Sequence, residues 1–101
     1  MIYRLTVPGT IEDTREVRVL EWHRRVGEPM QPGTLLVELE THKALIEVRA
    51  AQPGVLRRVA CEEGRWCPTE GLLALLSDDE GEPLPAETDQ LAPLLAEFSI
   101  G

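Results

Sequence analysis

One segment of this chain is used twice. The stretch "VLEWHRRVGEPMQPGTLLVEL", beginning at Val19, resembles "VLRRVACEEGRWCPTEGLLALL", beginning at Val55. With one inserted residue, Gly27 falls on Gly64, Met30 on Cys67, and Leu35-Leu36 on Leu72-Leu73. Two similar halves predict a fold with internal pseudo-two-fold symmetry. Met30 and Cys67 then hold matching positions and are expected to plug the core, since a free cysteine behaves as a small hydrophobe. That argues against a redox or metal role for Cys67.

The halves carry β signals and little helical period. Ile2, Leu5 and Val7 open one strand, and "REVRVLEW" alternates Val17 and Val19 with charged neighbours. "TLLVELE", "ALIEVRA", "GVLRRVA" and "GLLALLS" follow, separated by Pro8-Gly9, Pro29, Pro32-Gly33, Pro53-Gly54, Pro68 and Gly71. Short strands so punctuated predict an all-β sandwich or small barrel. At 101 residues the chain has the size of one domain.

Charge and composition exclude several classes. Through Ser77 there are 11 acidic and 10 basic residues; from Asp78 onward there are 7 acids and no Lys or Arg. A nearly neutral body with an acidic tail offers no basic stripe for nucleic acid. No stretch approaches the roughly 20 apolar residues of a membrane span, and "MIYRLTVPGT" lacks a secretory pattern. Cys61 and Cys67 are too few for a disulfide framework and lack zinc spacing, so reduced thiols in a cytoplasmic setting are expected. His23 and His42 lie far apart without paired partners, so neither is read as a metal ligand. No Ser/His/Asp, Cys/His or paired-carboxylate arrangement supports an enzyme.

One residue type is then conspicuous by its rarity. Lys43 is the only lysine; the other nine basic residues are arginines. A guanidinium stays protonated, whereas an ammonium can lose its proton and attack a carbonyl. Leu36-Val37-Glu38-Leu39 and Leu45-Ile46-Glu47-Val48 are evenly spaced about "ETHKA", which predicts a hairpin with His42 and Lys43 near its exposed tip. Composition alone leaves open whether Lys43 is a modified amine or a solvated turn residue.

At these residues the sequence resembles the lipoyl domains of 2-oxo acid dehydrogenase complexes. Their attachment motif reads Glu-Thr-Asp-Lys-Ala, and here it stands as Glu40-Thr41-His42-Lys43-Ala44. The likeness extends through Trp22, Val26-Gly27-Glu28, Gly33-Thr34-Leu35 and Ala51-Gln52-Pro53-Gly54-Val55, covering roughly residues 1 to 78. His42 replaces an acid, and Val17 sits where a glycine is frequent. The resemblance implies a flattened β-barrel, a barrel-sandwich of two sheets related by a pseudo-two-fold axis, with lipoic acid amide-linked to Lys43 as a swinging arm. It implies recognition of the tip through Glu40, Thr41, His42 and Ala44. It also implies four partners: a lipoylating enzyme, a thiamine-diphosphate-dependent decarboxylase component, an acyltransferase core and a dihydrolipoyl dehydrogenase. Such a domain is a carrier whose cofactor supplies the chemistry.

Two rivals share the fold. A biotin carrier usually holds its lysine in Ala-Met-Lys-Met, unlike His42-Lys43-Ala44 here. An unmodified adaptor barrel is the other. Residues 79–101 read as an acidic, proline-containing linker, with a short amphipathic segment at 91–100. Leu91, Leu94, Leu95 and Phe98 share one helical face, which predicts a helix of about two turns starting near Leu91.

Overall fold

In the computed structural model, residues 1–9, 11 and 14–100 are described. They form ten strands: β1 (Ile2–Thr6), β2 (Glu16–Trp22), β3 (Pro29–Met30), β4 (Leu35–Glu40), β5 (Leu45–Ala50), β6 (Gly54–Val59), β7 (Trp66–Pro68), β8 (Leu72–Ser77), β9 (Ala92–Pro93) and β10 (Ala96–Ile100). Two five-stranded sheets result, ordered β3-β6-β8-β1-β9 and β10-β5-β4-β2-β7. Between them lies a core of Leu5, Val17, Val19, Leu36, Val37, Leu39, Ile46, Val48, Leu56, Leu73 and Leu76, among others. The all-β two-sheet fold is as the sequence predicts.

Alternation explains the strands. Val17 and Val19 of β2 are fully buried while Glu16 and Arg18 are exposed, the period of a half-buried strand. β8 differs: Leu73 through Ser77 are all buried, so its unbroken apolar run marks a strand covered on both faces. Met30 and Cys67 are both buried in the shared core, as their matching positions predict.

The pseudo-two-fold is visible in the hydrogen bonds, with one correction to the alignment of the repeat. Gly27 N donates to Leu56 O and Gly64 N to Val19 O, both at 2.8 Å. His23 N to Leu36 O and Ala60 N to Leu73 O are likewise equivalent, again both at 2.8 Å. Val19 therefore matches Leu56 and not Val55, and no inserted residue is needed. The one-residue offset follows the repeated Val-Leu pair, Val19-Leu20 and Val55-Leu56, whereas the bulges lie at the same place in both strands, between Val19 and Glu21 in β2 and between Leu56 and Arg58 in β6, and keep the halves in step. A bulge adds a residue without changing which side chains point inward beyond it, and local sequence similarity does not reveal it. Gly33, at φ +92°, matches Glu70, which takes φ +68° despite its side chain.

The tail departs most from expectation. Leu91 to Phe98 form no helix; the segment enters both sheets instead. β9 pairs in parallel with β1, and β10 pairs antiparallel with β5 from Ala96 opposite Ala50 to Ile100 opposite Ile46. Between them Leu94 is buried in the core, its N–H donating to Arg4 O at 2.9 Å. A two-turn helix with a proline is marginal in water. The open edges of β1 and β5 supply ready hydrogen-bond partners, and the core supplies a site for Leu94. The two tail strands extend the two sheets at equivalent edges, beside β1 and beside β5, but break the symmetry in direction, one parallel and the other antiparallel to its neighbour.

Candidate functional site

β4 and β5 converge on a four-residue turn. Their last pair is Glu40 with Leu45, and the turn closes with Thr41 N donating to Ala44 O at 2.9 Å. Within it the Thr41 hydroxyl accepts from the backbone N–H groups of both Lys43 and Ala44, each at 3.1 Å. A threonine oxygen capping two successive amides substitutes for backbone partners that a tight turn cannot provide. His42 and Lys43 are exposed at the tip, while Thr41 and Ala44 are half-buried at its base.

Glu40 is held from below. Arg18, its cross-strand neighbour on β2, donates from Nη1 to Glu40 Oε1 at 3.2 Å and from Nε to Gly64 O at 3.5 Å. The carboxylate is thus oriented by a guanidinium anchored in the other half of the repeat. Beside the tip opens a cleft of about 310 Å³, lined by Thr14, Arg15, Glu16, Thr41, His42 and Lys43. The His42 ring lies 6.1 Å from that of Trp66 on β7. The five residues Glu40 to Ala44 are contiguous in sequence and span the end of β4 and the turn. Arg18 and Trp66 were missed, because pairing of β2 with β4 and β7 brings them in, and no local signal announces that.

The remaining chemistry-bearing groups lie elsewhere. Burial pushes the Cys67 thiol up to about 11, and burial likewise raises that of Cys61. Thiols so placed are poor nucleophiles. His23 does have partners, contrary to the sequence reading: Nε2 meets Glu38 Oε1 at 2.6 Å and Nδ1 meets Glu21 Oε2 at 3.7 Å. Pairing sets Glu21 opposite Glu38 and Glu38 opposite Glu47, a row of three carboxylates. Like charges opposed across strands repel, and the His23 imidazole lies between the first two. Arg18 pairs with Glu40 and Trp22 with Val37, so His23 lies beyond the end of β2 that points away from the tip. Among the described residues, no helix is long and apolar enough to cross a membrane.

Residues 4–76 match the model of the family described as Biotin-requiring enzyme, the biotin/lipoyl family. The chain is 32% identical over 77 residues to the dihydrolipoyllysine-residue succinyltransferase component of the 2-oxoglutarate dehydrogenase complex of Haemophilus influenzae, an alignment covering 76% of this chain and 19% of that protein. It is 30% identical over 83 residues to the dihydrolipoyllysine-residue acetyltransferase component of the pyruvate dehydrogenase complex of Rickettsia prowazekii, covering 81% and 20%. Among solved structures, the lipoyl domain of the 2-oxoglutarate dehydrogenase complex from Azotobacter vinelandii superposes with a TM-score of 0.65 at 29% identity, over 74% of this chain and 95% of that one. The chain spans about a fifth of the length of the curated relatives it matches.

Proposed function

The chain belongs to the biotin/lipoyl attachment family, and from that premise we propose that it carries lipoate on Lys43 as the mobile arm of a 2-oxo acid dehydrogenase-type complex. The observation that carries this is the exposed primary amine at the tip of a turn pinned by Thr41, inside Glu40-Thr41-His42-Lys43-Ala44. The turn fits the cofactor: Lys43 stands exposed on a turn pinned by Thr41, and no bulky neighbour follows it in sequence. Bound there, lipoate would supply a dithiolane that takes up an acyl group and electrons.

The residues divide the work. The deprotonated Lys43 Nζ attacks the carbonyl carbon of an activated lipoyl donor held by a lipoylating enzyme. A C–N bond forms, the activating group departs, and the proton lost from nitrogen goes to solvent. Glu40, steadied by Arg18, presents a carboxylate by which that enzyme selects its target. Thr41 and Ala44 hold the turn, and His42 sets the tip's surface. The domain itself performs no catalysis; it delivers the arm to a thiamine-diphosphate-dependent decarboxylase, an acyltransferase core and a dihydrolipoyl dehydrogenase. Tethering raises the local concentration of the acyl group at each of these sites. We assign it to the cytoplasm, where its two thiols stay reduced. We also take residues 1–78 as the carrier unit and 79–101 as an accessory strap.

A second reading, biotin in place of lipoate, is favoured by the family description alone and opposed by the absence of methionines beside Lys43. Intact mass after incubation with a lipoylating enzyme should show one lipoyl increment, mapped to Lys43. Lys43→Arg keeps the charge and should take none while folding normally. Glu40→Ala should slow transfer about ten-fold, the scale of one charge-assisted hydrogen bond. A biotin increment instead would move the chain to the rival class, and no increment on a folded chain would leave Lys43 an ordinary turn residue.

A further inference from the structure

The surface beside Lys43 continues past His42. The His42 imidazole packs against the indole of Trp66, with planes tilted by 32°. Trp66 lies on the short edge strand β7, where Cys67 points into the core and Trp66 itself is 47% exposed. Its backbone is fixed opposite Arg18 of β2, the residue that also holds Glu40. His42 lines the cleft at the tip, and Trp66 lines the next one, about 390 Å³, with Cys61, Glu62 and Arg65. Lysine, imidazole and indole therefore form one continuous path across the surface. Folding and core packing account for Cys67; they leave the outward indole unexplained.

We propose that the indole of Trp66, backed by His42, is a docking site for the oxidised 1,2-dithiolane at the end of the arm on Lys43 of the same chain. This rests on the lipoyl-carrier reading. The chemistry suits: divalent sulfur is polarizable and makes favourable contacts with aromatic rings at a separation of about 5 Å. The geometry suits as well. Trp66 touches the residue next to the attachment point, so the lysine methylenes and the acyl chain can fold back over His42 with slack. A tethered ligand meets its site at high effective concentration, and a contact too weak to hold free lipoate is enough to hold a tethered one. The departure at His42 belongs to the same arrangement. An aspartate there would give Trp66 no ring to pack on and would set a charge in the path of an apolar group. Docking parks the arm against the domain between visits to partners and shields its disulfide.

Tryptophan emission tests this directly, because a disulfide in contact with an indole quenches it. The full chain would be lipoylated, intact mass confirming the single increment, and compared with the unmodified chain and with one carrying an octanoyl group on Lys43. Sulfur–aromatic contact supports a docked fraction from about 60% to about 90%, so emission from Trp66, taken as the difference from a Trp66→Phe chain that retains Trp22, should fall at least about two-fold with oxidised lipoate. The octanoyl group should leave it unchanged, and reduction of the dithiolane should restore it. Trp66→Phe, which keeps an aromatic ring on the surface, should abolish the quench, and His42→Asp should weaken it. Full lipoylation without any change in emission overturns the docking site and leaves the carrier function standing. Failure to add lipoate at all overturns both.

Discussion

The matching ends of two equivalent ladders, β4 with β5 in one sheet and β8 with β1 in the other, make an instructive pair. At one end β4 passes into β5 through Thr41–Ala44, and the closing bond from Thr41 N to Ala44 O measures 2.9 Å. At the symmetric end the matching bond runs from Asp78 N to Met1 O at 3.4 Å, between residues that no turn connects. Both ends bear a primary amine. At the closed end it is the side chain of Lys43, raised on a turn inside a recognisable five-residue frame. At the open end it is the α-amine of Met1, which meets carboxylate oxygens of Asp78 and Glu82 at 2.6 Å each. Those two carboxylates raise its pKa above the ordinary value, hydrogen bonding to Asp78 being the larger cause. An amine held protonated between two acids is a poor nucleophile. One architecture thus sets a lysine on an exposed turn where the chain is continuous and an exposed α-amine paired with two acids where it is open.

Three experiments would break or sharpen that contrast. The largest effect should come from the tail, which reinforces the open side of both sheets. Ending the chain at Asp79 removes β9, β10 and the buried Leu94. The loss should be about 2 kcal/mol, the scale of burying one leucine, and the melting temperature should fall by roughly 10 °C. The remaining chain should still unfold cooperatively and still be lipoylated at Lys43. An unfolded truncation product would show that 79–101 belongs to the domain proper.

A smaller effect tests the equivalence of Gly33 and Glu70. Gly33→Glu forces a side chain into a left-handed backbone with open space around it and should cost about 1 kcal/mol. Glu70→Gly should be neutral to slightly stabilising, since relief of that strain is offset by greater entropy in the unfolded chain. Denaturant midpoints for the two variants would decide, and equal losses would mean that Glu70 earns its conformation through other contacts.

The smallest effect is the pH response of the open end. The α-amine's raised pKa contributes stability that is complete below its ordinary value of 8.0 and is lost as pH rises through the raised one. Asp78 is lowered, chiefly by its hydrogen bond to that amine, so its contribution is present above the ordinary 3.8 and lost as pH falls through the lower value. Both groups are exposed and screened by salt, so only a shallow decline on each side is expected. Acetylating the α-amine should remove the alkaline limb while leaving lipoylation of Lys43 untouched. An unchanged profile would mean that the pairing contributes nothing in solution.

The sequence alone determined six of the seven strands of five or more residues, the position of Met30 and Cys67 in the core, and the turn that bears Lys43. Alternation with period two, proline and glycine punctuation, and a symmetric apolar frame around "ETHKA" are all local, so each can be seen without knowing the neighbours. Tertiary structure decided the rest. The two- and three-residue strands β3 and β7 carry no period of their own. The bulges that keep the repeat in step exist only where strands pair. The clustering of His23 with Glu21 and Glu38, the clamp of Arg18 on Glu40 and the packing of His42 on Trp66 all depend on which strand lies beside which. The tail shows the reason most plainly: its apolar spacing suited a helix, but open sheet edges and a core site for Leu94 offered more hydrogen bonds and more burial than two isolated turns could.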